Sequence, residues 1–380
     1  MTIKRQLRVV HIISGLNVGG AELMLLRLLS GSDRVGGDFE HRVISLTSIG
    51  EIGEKIKKIG IPIHAINLKS QLDCVPKIVK LIILMRRLMP EIVQTWMYHG
   101  DLLGGIVARL TGVPHVIWNV RNTLIPQGRW SRSNLIVNLC AVLSRWIPDK
   151  IVCCAEAGLA NHSQIGYCFN KMLVIPNGFD CRIFEYSKPK RRSVRKRLGI
   201  AKNEIVVGIV GRFDVLKDYQ NFVNAADRIS KLRPQARFLM VGRGVDLNNK
   251  LLASWLEKTS CYDKFILMGQ SREVAAAMAA MDIYCLASKA EGFPNVVAEA
   301  MLMELPCVVT NVGDASLILQ EFGRVVPPKD SVSLSEAVIS IIDLPPEQRQ
   351  AIGRNAMKSI RQRYSIDLIV ERYNQLYRSF

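Results

Sequence analysis

The segment Asp282–Asn311, DIYCLASKAEGFPNVVAEAMLMELPCVVTN, concentrates the side chains best able to do chemistry. A strand-like run ends at Ser288, a loop carries Glu291, Gly292 and Phe293, and Pro294 fits the first turn of a helix. Glu299 follows two turns on, roughly on the side of Glu291. A helix starting here would offer the amides of Asn295, Val296 and Val297 to an anion. A carboxylate beside that point suits a polyhydroxylated ligand, because it accepts two hydroxyl hydrogen bonds at once. Taken alone, two glutamates eight apart also fit a capping carboxylate and a surface side chain on an ordinary strand–helix unit.

A second constellation adds weight. In GRFDVLKD, Gly211–Asp218, Arg212 can fork onto a phosphate and Lys217 can add a point charge. Either cation alone is a solvated loop residue by default. Placed at the end of one strand beside the helix start after Glu291, the two would clamp a diphosphate. A third segment, GLNVGGAE at Gly15–Glu22, has Gly19 and Gly20, over which a backbone can approach phosphate without obstruction. It is neither the G-x-G-x-x-G dinucleotide fingerprint nor a Walker lysine loop.

The elements that must position these groups are short apolar runs ending in Gly, Ser or Asn, each followed by a longer amphipathic stretch. LRVVHIISG, HRVISLTS, IPIHAINL, IVQTW, HVIWNV and KIVCCA read as strands in the first half. Helical segments such as Ala21–Leu29, Cys74–Leu88 and Leu102–Leu110 lie between them. IVVGIVG, ARFLMVG, KFILMG, DIYCLAS and PCVVTN repeat the scheme in the second half. The alternation predicts an α/β protein of two doubly wound, Rossmann-like domains, with ligands beyond the carboxyl ends of the strands. The boundary falls at IPNGFD, with a linker near 176–190. The expected domains are 1–185 and 186–362, with 363–380 a C-terminal helix packing back on the first. Lys188–Arg197 has seven basic residues in ten; it abuts a helix ending at Leu198-Gly199, where cations meet the negative helix end.

Of the bulk properties, the net charge of +18 over 380 residues stands out and implies an anionic partner. Residues 1–180 carry 21 Lys and Arg against 12 Asp and Glu, +9, so the excess is shared by both halves rather than gathered in a nucleic-acid tail or stripe. No specific nucleic-acid partner is expected. The nine cysteines are scattered, without a C-x-x-C pair, and the six histidines lack metal-ligand spacing; no metal site is expected. Apolar stretches are shorter than a membrane span, and no export signal is read at the start, so the expected location is the cytosol. Ile78–Leu88 and Gly128–Ile147 are basic and apolar enough to lie on an anionic membrane, although packing of their apolar faces on the sheet is the commoner arrangement for any one helix.

Together, in this order, the segments resemble the family 4 retaining glycosyltransferases of the GT-B fold, two Rossmann-like domains facing across a cleft. The resemblance runs through nearly the whole chain. Its E-x7-E signature stands as Glu291 to Glu299, its phosphate pair as Arg212 and Lys217, its hinge as Pro176-Asn177-Gly178 and its glycine loop as Gly19-Gly20-Ala21-Glu22. It implies that Arg212 and Lys217 neutralise a nucleotide-sugar diphosphate and that Glu299 binds the ribose. Glu291 and the backbone of Gly292, Phe293, Asn295, Val296 and Val297 would hold the sugar and phosphate. Gly269 to Arg272 would face the base. Where many relatives carry a histidine near residues 116–121, this chain has Arg121 or Asn122, leaving His99, in TWMYHGDLLGG, to meet the sugar or the acceptor. His99 could equally cap the helix that follows.

The implied reaction is metal-independent transfer, with retention, of a hexose from a UDP-sugar, or next a GDP-sugar. The nucleotide sugar is a substrate and no cofactor is needed. The implied acceptor is a glycan on a lipid diphosphate, in bacterial surface-polysaccharide assembly at the inner membrane face. The alternatives are a sugar-nucleotide epimerase of the same fold, separated by whether a glycosidic bond forms, and a non-catalytic basic anion-binding protein.

Overall fold

The computed structural model describes residues 6–35, 38–68, 74–123, 125, 132–271 and 273–380. The chain divides into two compact units, residues 1–179 with 364–380, and residues 180–363.

In the first unit seven parallel strands run in the order β3-β2-β1-β4-β5-β6-β7. They are β1 Leu7–Ile13, β2 Phe39–Ser45, β3 Ile63–Ala65, β4 Ile92–Trp96, β5 His115–Val120, β6 Lys150–Cys153 and β7 Met172–Val174. β1 is central, in register with β2 from Leu7↔Phe39 to Ile13↔Ser45 and with β4 from Val9↔Ile92 to Ile13↔Trp96. A parallel strand covered on both faces needs apolar residues on both, and Val9, Val10, Ile12 and Ile13 are all buried. Each such side chain contributes about 1.5–3 kcal/mol. One face carries the helices Gly20–Val35, Gly50–Lys58 and Ile366–Arg378; the other carries Cys74–Leu88, Gly105–Leu110 and Arg132–Leu143.

His11 interrupts the apolar run of β1. Its Nε2 meets His41 Nδ1 at 3.0 Å, its Nδ1 accepts from Trp96 Nε1 at 3.3 Å, and His41 Nε2 meets Ser32 Oγ at 3.0 Å. Burial holds both imidazoles below their ordinary range, His41 at about 4, so the pair is neutral. Sequence spacing gave no sign that these two histidines touch.

In the second unit six parallel strands run β10-β9-β8-β11-β12-β13. They are β8 Ile205–Val210, β9 Ala236–Val241, β10 Phe265–Gly269, β11 Ile283–Leu286, β12 Cys307–Thr310 and β13 Gly323–Val326. The basic run does not abut a helix; it is one, Lys188–Arg197, with Gly199 at φ +67° behind its end. Its cations serve a neighbour. Arg191 donates to the carbonyls of Ala279 and Met281, Arg195 donates to that of Ala280, and both grip Asp282 at 2.6 and 3.0 Å. They close the carboxyl end of the helix Val274–Ala280.

The chain leaves the first unit after Phe179 and returns at Tyr364. Phe179 N donates to Tyr364 O at 2.9 Å and Ile366 N to Phe179 O at 2.9 Å. The helix Ile366–Arg378 then buries Ile369, Val370, Tyr373 and Tyr377 in the core with Leu25 and Leu28 of Gly20–Val35.

Candidate active site

In the second unit β8 and β11 are adjacent, with β9 and β10 on one side and β12 and β13 on the other. Chain direction across the sheet reverses between them, which opens a crevice at their carboxyl ends. The loops leaving these two strands carry Arg212 with Lys217, and Glu291.

Lys217 ends a short 3-10 turn, Val215–Lys217, started by Asp214, whose carboxylate accepts from Leu216 N at 3.0 Å. Its ammonium donates to Glu291 Oε1 at 2.6 Å, and Ser288 Oγ donates to the same oxygen at 2.6 Å. Both charges are largely shielded, the Glu291 side chain being 12% exposed and Lys217 24%. Lys289 adds two stitches between the loops, N to Leu216 O at 2.7 Å and Nζ to Asp218 at 3.2 Å. Arg212, 62% exposed, lies on Asp214 at 3.1 Å. An exposed pair of this kind is worth about 0–1 kcal/mol, so an arriving phosphate can displace the aspartate.

Two glycines hold this arrangement from below. At Gly242, φ +156°, an added Cβ would lie 1.6 Å from Gly211 O, so no other residue fits where the ends of β8 and β9 converge. Gly242 N donates to Gly269 O at 2.8 Å, joining β10, and Gly269 itself has φ +60°. At Gly313, φ +52°, a Cβ would lie 2.4 Å from Gly292 O and 2.5 Å from Glu291 O. Asp314 N donates to Gly292 O at 2.9 Å, so the turn after β12 supports the Glu291 loop directly.

The helix behind that loop spans Asn295–Leu302. Pro294 is its N-cap and not within its first turn, because its ψ of 89° is non-helical. The Val297 amide is not open to a ligand either, since it donates to Pro294 O at 3.0 Å. Phe293 and Val297 are buried, as is Glu299, one turn in, at 9% exposure. Asn295 and Val296 are half-buried. Arg272 lies outside the described residues.

In the first unit the reversal falls between β1 and β4. The loop after β1 leads into the helix Gly20–Val35, and Glu22 folds back over it: a Cβ on Gly19 would meet Glu22 Oε2 at 2.3 Å. Burial raises the pKa of Glu22. The approach over Gly19 is thus lined by a carboxyl group, better suited to hydroxyls than to phosphate, while Gly20 is exposed.

β4 ends at Trp96, Met97 takes φ +66°, and His99 is exposed on the single turn Met97–His99. The helix expected from Leu102 begins as a π-turn, Gly100–Gly104, and becomes regular at Gly105–Leu110. Such wide turns cluster at functional sites. Inside it sits Asp101, fully buried. Its Oδ1 accepts from Thr95 Oγ1 at 2.6 Å and Asn119 N at 3.3 Å, and Oδ2 has no partner among the described residues. Burial pushes its pKa up to about 7. Arg121, after β5, donates to Asn119 at 3.3 Å and to Asn177, and its guanidinium lies over Trp96 at 5.5 Å.

Sequence reasoning therefore found the loops but missed several members: Ser288, Asp214, Gly242, Gly313 and Asp101. Asp214, two residues after Arg212, was the most visible of these.

Residues 204–343 match the glycosyl transferases group 1 family, a span that takes in Arg212, Lys217, Gly269, Glu291 and Glu299. The second unit carries a group 1 glycosyl transferase domain. Over 94% of its length the chain is 26% identical to the UDP-Gal:alpha-D-GlcNAc-diphosphoundecaprenol alpha-1,3-galactosyltransferase of Escherichia coli, covering 96% of that protein. It is 22% identical to the capsular polysaccharide biosynthesis glycosyltransferase CapM of Staphylococcus aureus, over 80% of each chain. Among solved structures it is similar to Anabaena HepE in complex with UDP, at TM-score 0.86 and 21% identity, covering 98% of this chain and 100% of that one. WaaG, a glycosyltransferase involved in lipopolysaccharide biosynthesis, gives a TM-score of 0.73 at 14% identity, over 97% and 99% of the chains. The fold is that of the GT-B glycosyltransferases, with its group 1 domain in the second unit.

Proposed function

We propose that the protein transfers a hexose, with retention, from a UDP-sugar, with a GDP-sugar next in order, to a glycan carried on a lipid diphosphate. The work belongs to surface-polysaccharide assembly at the cytoplasmic face of the membrane. The observation that carries this reading is the meeting of Lys217 and Glu291 at the strand reversal of the group 1 domain. It puts a cation for phosphate and a carboxylate for sugar hydroxyls within one hydrogen bond of each other. The Escherichia coli relative is named for a UDP-Gal donor and a diphosphoundecaprenol-linked acceptor, which supports both classes, and HepE was solved with UDP-glucose, which supports the donor class.

In this reaction the C1–O bond to the diphosphate breaks, the acceptor oxygen bonds C1 on the same face, and the acceptor proton passes to the departing phosphate oxygen. Lys217 and Arg212 take the growing negative charge in place of an obligatory divalent cation, together with the start of the helix Asn295–Leu302. Glu291 and the backbone of Gly292 and Phe293 hold the sugar, Glu299 the ribose, and Gly269 borders the base. His99 and the Gly19–Gly20 loop of the first unit serve the acceptor.

A panel of UDP, GDP and ADP sugars, followed by thermal unfolding without metal, tests the reading. A ligand at 100 times its Kd adds about 2.7 kcal/mol to native stability. One nucleotide family should stabilise the wild type and leave Arg212→Ala and Glu299→Ala unaffected. Absence of any response, or an equal response in both variants, would overturn it.

A further inference from the structure

The first unit has two dissimilar helical layers. On one face of its sheet the helix Gly50–Lys58 buries Ile52 and Ile56 and turns outward a row of charges, Lys55–Glu51 at 2.9 Å and Lys57–Glu54 at 3.0 Å. That is an ordinary solvated surface. The helices on the opposite face depart from it. Cys74–Leu88 buries Leu81, Met85 and Leu88, and Arg132–Leu143 buries Val137, Cys140 and Ala141, all in one core with Val10, Ile12 and Trp118. Yet their outward sides are apolar too. Val75, Val79 and Ile83 follow one another at four-residue spacing along the first helix, and Leu135, Leu139 and Val142 at spacings of four and three along the second, all exposed. Val75 is 72% and Leu135 69% exposed, and Trp146 just beyond is 67%. An outward apolar stripe added to a buried one marks a face that another surface covers.

The charges around these stripes are of one sign. Cys74–Leu88 holds Lys77, Lys80, Arg86 and Arg87 and no acid; Arg132–Leu143 has no acid, and Arg145 follows it. Arg86, Arg87 and Arg145 are exposed. A second protein copy meeting this face would bring like charges together, whereas an anionic lipid surface supplies both an apolar layer and the opposite charge.

We propose that the outward faces of Cys74–Leu88 and Arg132–Leu143 are the membrane-docking surface, seated at the headgroup boundary of an anionic bilayer. Valine, isoleucine, leucine and Trp146 enter the interface, and the lysine and arginine heads spread outward to lipid phosphates. The proposal rests on the reading of a lipid-linked acceptor and narrows it: the acceptor would be presented to the first unit while its lipid stays in the membrane.

Flotation with vesicles of phosphatidylethanolamine and phosphatidylglycerol, against pure phosphatidylcholine, tests it. The wild type should float with the anionic vesicles alone, with a blue shift of tryptophan emission that Trp146→Phe removes. Val79→Glu/Leu139→Glu alters two exposed positions, so its thermal unfolding and its stabilisation by UDP should match the wild type. Its vesicle binding should fall on the order of tenfold or more. Equal binding by this variant, or no binding by the wild type, overturns the proposal. So does concentration-dependent dimerisation in sedimentation that the double variant abolishes, since the face would then cover a second copy. Vesicle binding without any nucleotide response would instead remove the donor-site reading and leave this surface in place.

Discussion

Replacing Asp101 by asparagine should change how the stability of the first unit depends on pH. The folded chain holds this carboxyl at a pKa of about 7, against 3.8 for a free aspartate, because burial disfavours the charged form and only Thr95 and the Asn119 amide oppose it. Between those two values the unfolded chain has released its proton and the folded chain has not. Stability is therefore lost as pH rises through this window, and the full penalty stands above pH 7. The gap, at about 1.4 kcal/mol per pH unit, comes to about 4 kcal/mol. Asparagine keeps the acceptor at Oδ1 and removes the titration. An amide nitrogen in the place of the unpartnered Oδ2 costs about 1–3 kcal/mol, but equally at every pH. Urea unfolding of both proteins from about pH 4 to about pH 8 isolates the effect, since all other groups cancel in the difference. The variant should gain on the wild type by up to about 4 kcal/mol across that range. Parallel curves would mean that Asp101 titrates normally and that water or a counter-charge reaches it.

Lys217→Met should lower kcat on the order of 10²–10³-fold, as expected for removing one donor aimed at charge developing in the transition state; an unchanged kcat with a raised KM would make Lys217 a ground-state binding residue. Gly313→Ala forces a Cβ against the carbonyls of Glu291 and Gly292, so UDP should stabilise it far less than the wild type while the first unit unfolds normally; wild-type UDP binding would show the loop to be free of Gly313. Activity should persist in excess chelator and be unaffected by added magnesium, measured as sugar transfer; a return of activity on metal addition would refute the role given to the cations.

Much of the fold was legible because parallel strands buried on both faces need unbroken apolar runs, and IVVGIVG or ARFLMVG can be little else. Each of the eleven runs named from sequence overlaps an observed strand. The two missed, β7 and β13, are sheet edges, and β13 is half open, so the apolar pressure that marks a central strand is absent there. The candidate site was legible where residue type marks it, at Arg212, Lys217 and Glu291, whose loops the structure brings together. It was illegible where the arrangement rests on shape or distance. Gly242 and Gly313 matter because of carbonyls 31 and 22 residues away in sequence, counted from Gly211 and Glu291. The π-turn that buries Asp101 reads in sequence as the start of a plain helix.

The net charge of +18 is a poor guide to the candidate site, because the cations there are already paired. Lys217 is held by Glu291, Arg212 by Asp214 and Lys289 by Asp218, so the loops after β8 and β11 are close to neutral before any ligand arrives. On the proposed reading a diphosphate exchanges partners and adds no net positive charge to the site. Arg212, itself largely exposed, leaves its aspartate at small cost, and Lys217 turns from Glu291 to phosphate. Glu291 is then left with Ser288 as its donor and a lone pair vacated by an ammonium, which a sugar hydroxyl can fill. The exchange links the two halves of the donor, since the carboxylate becomes available to the sugar when the lysine is taken by the diphosphate. A free hexose would have to compete with Lys217 for Glu291, and a free diphosphate would strand that carboxylate with one donor in a shielded site. Discrimination in favour of the intact nucleotide sugar then follows from the pairing itself.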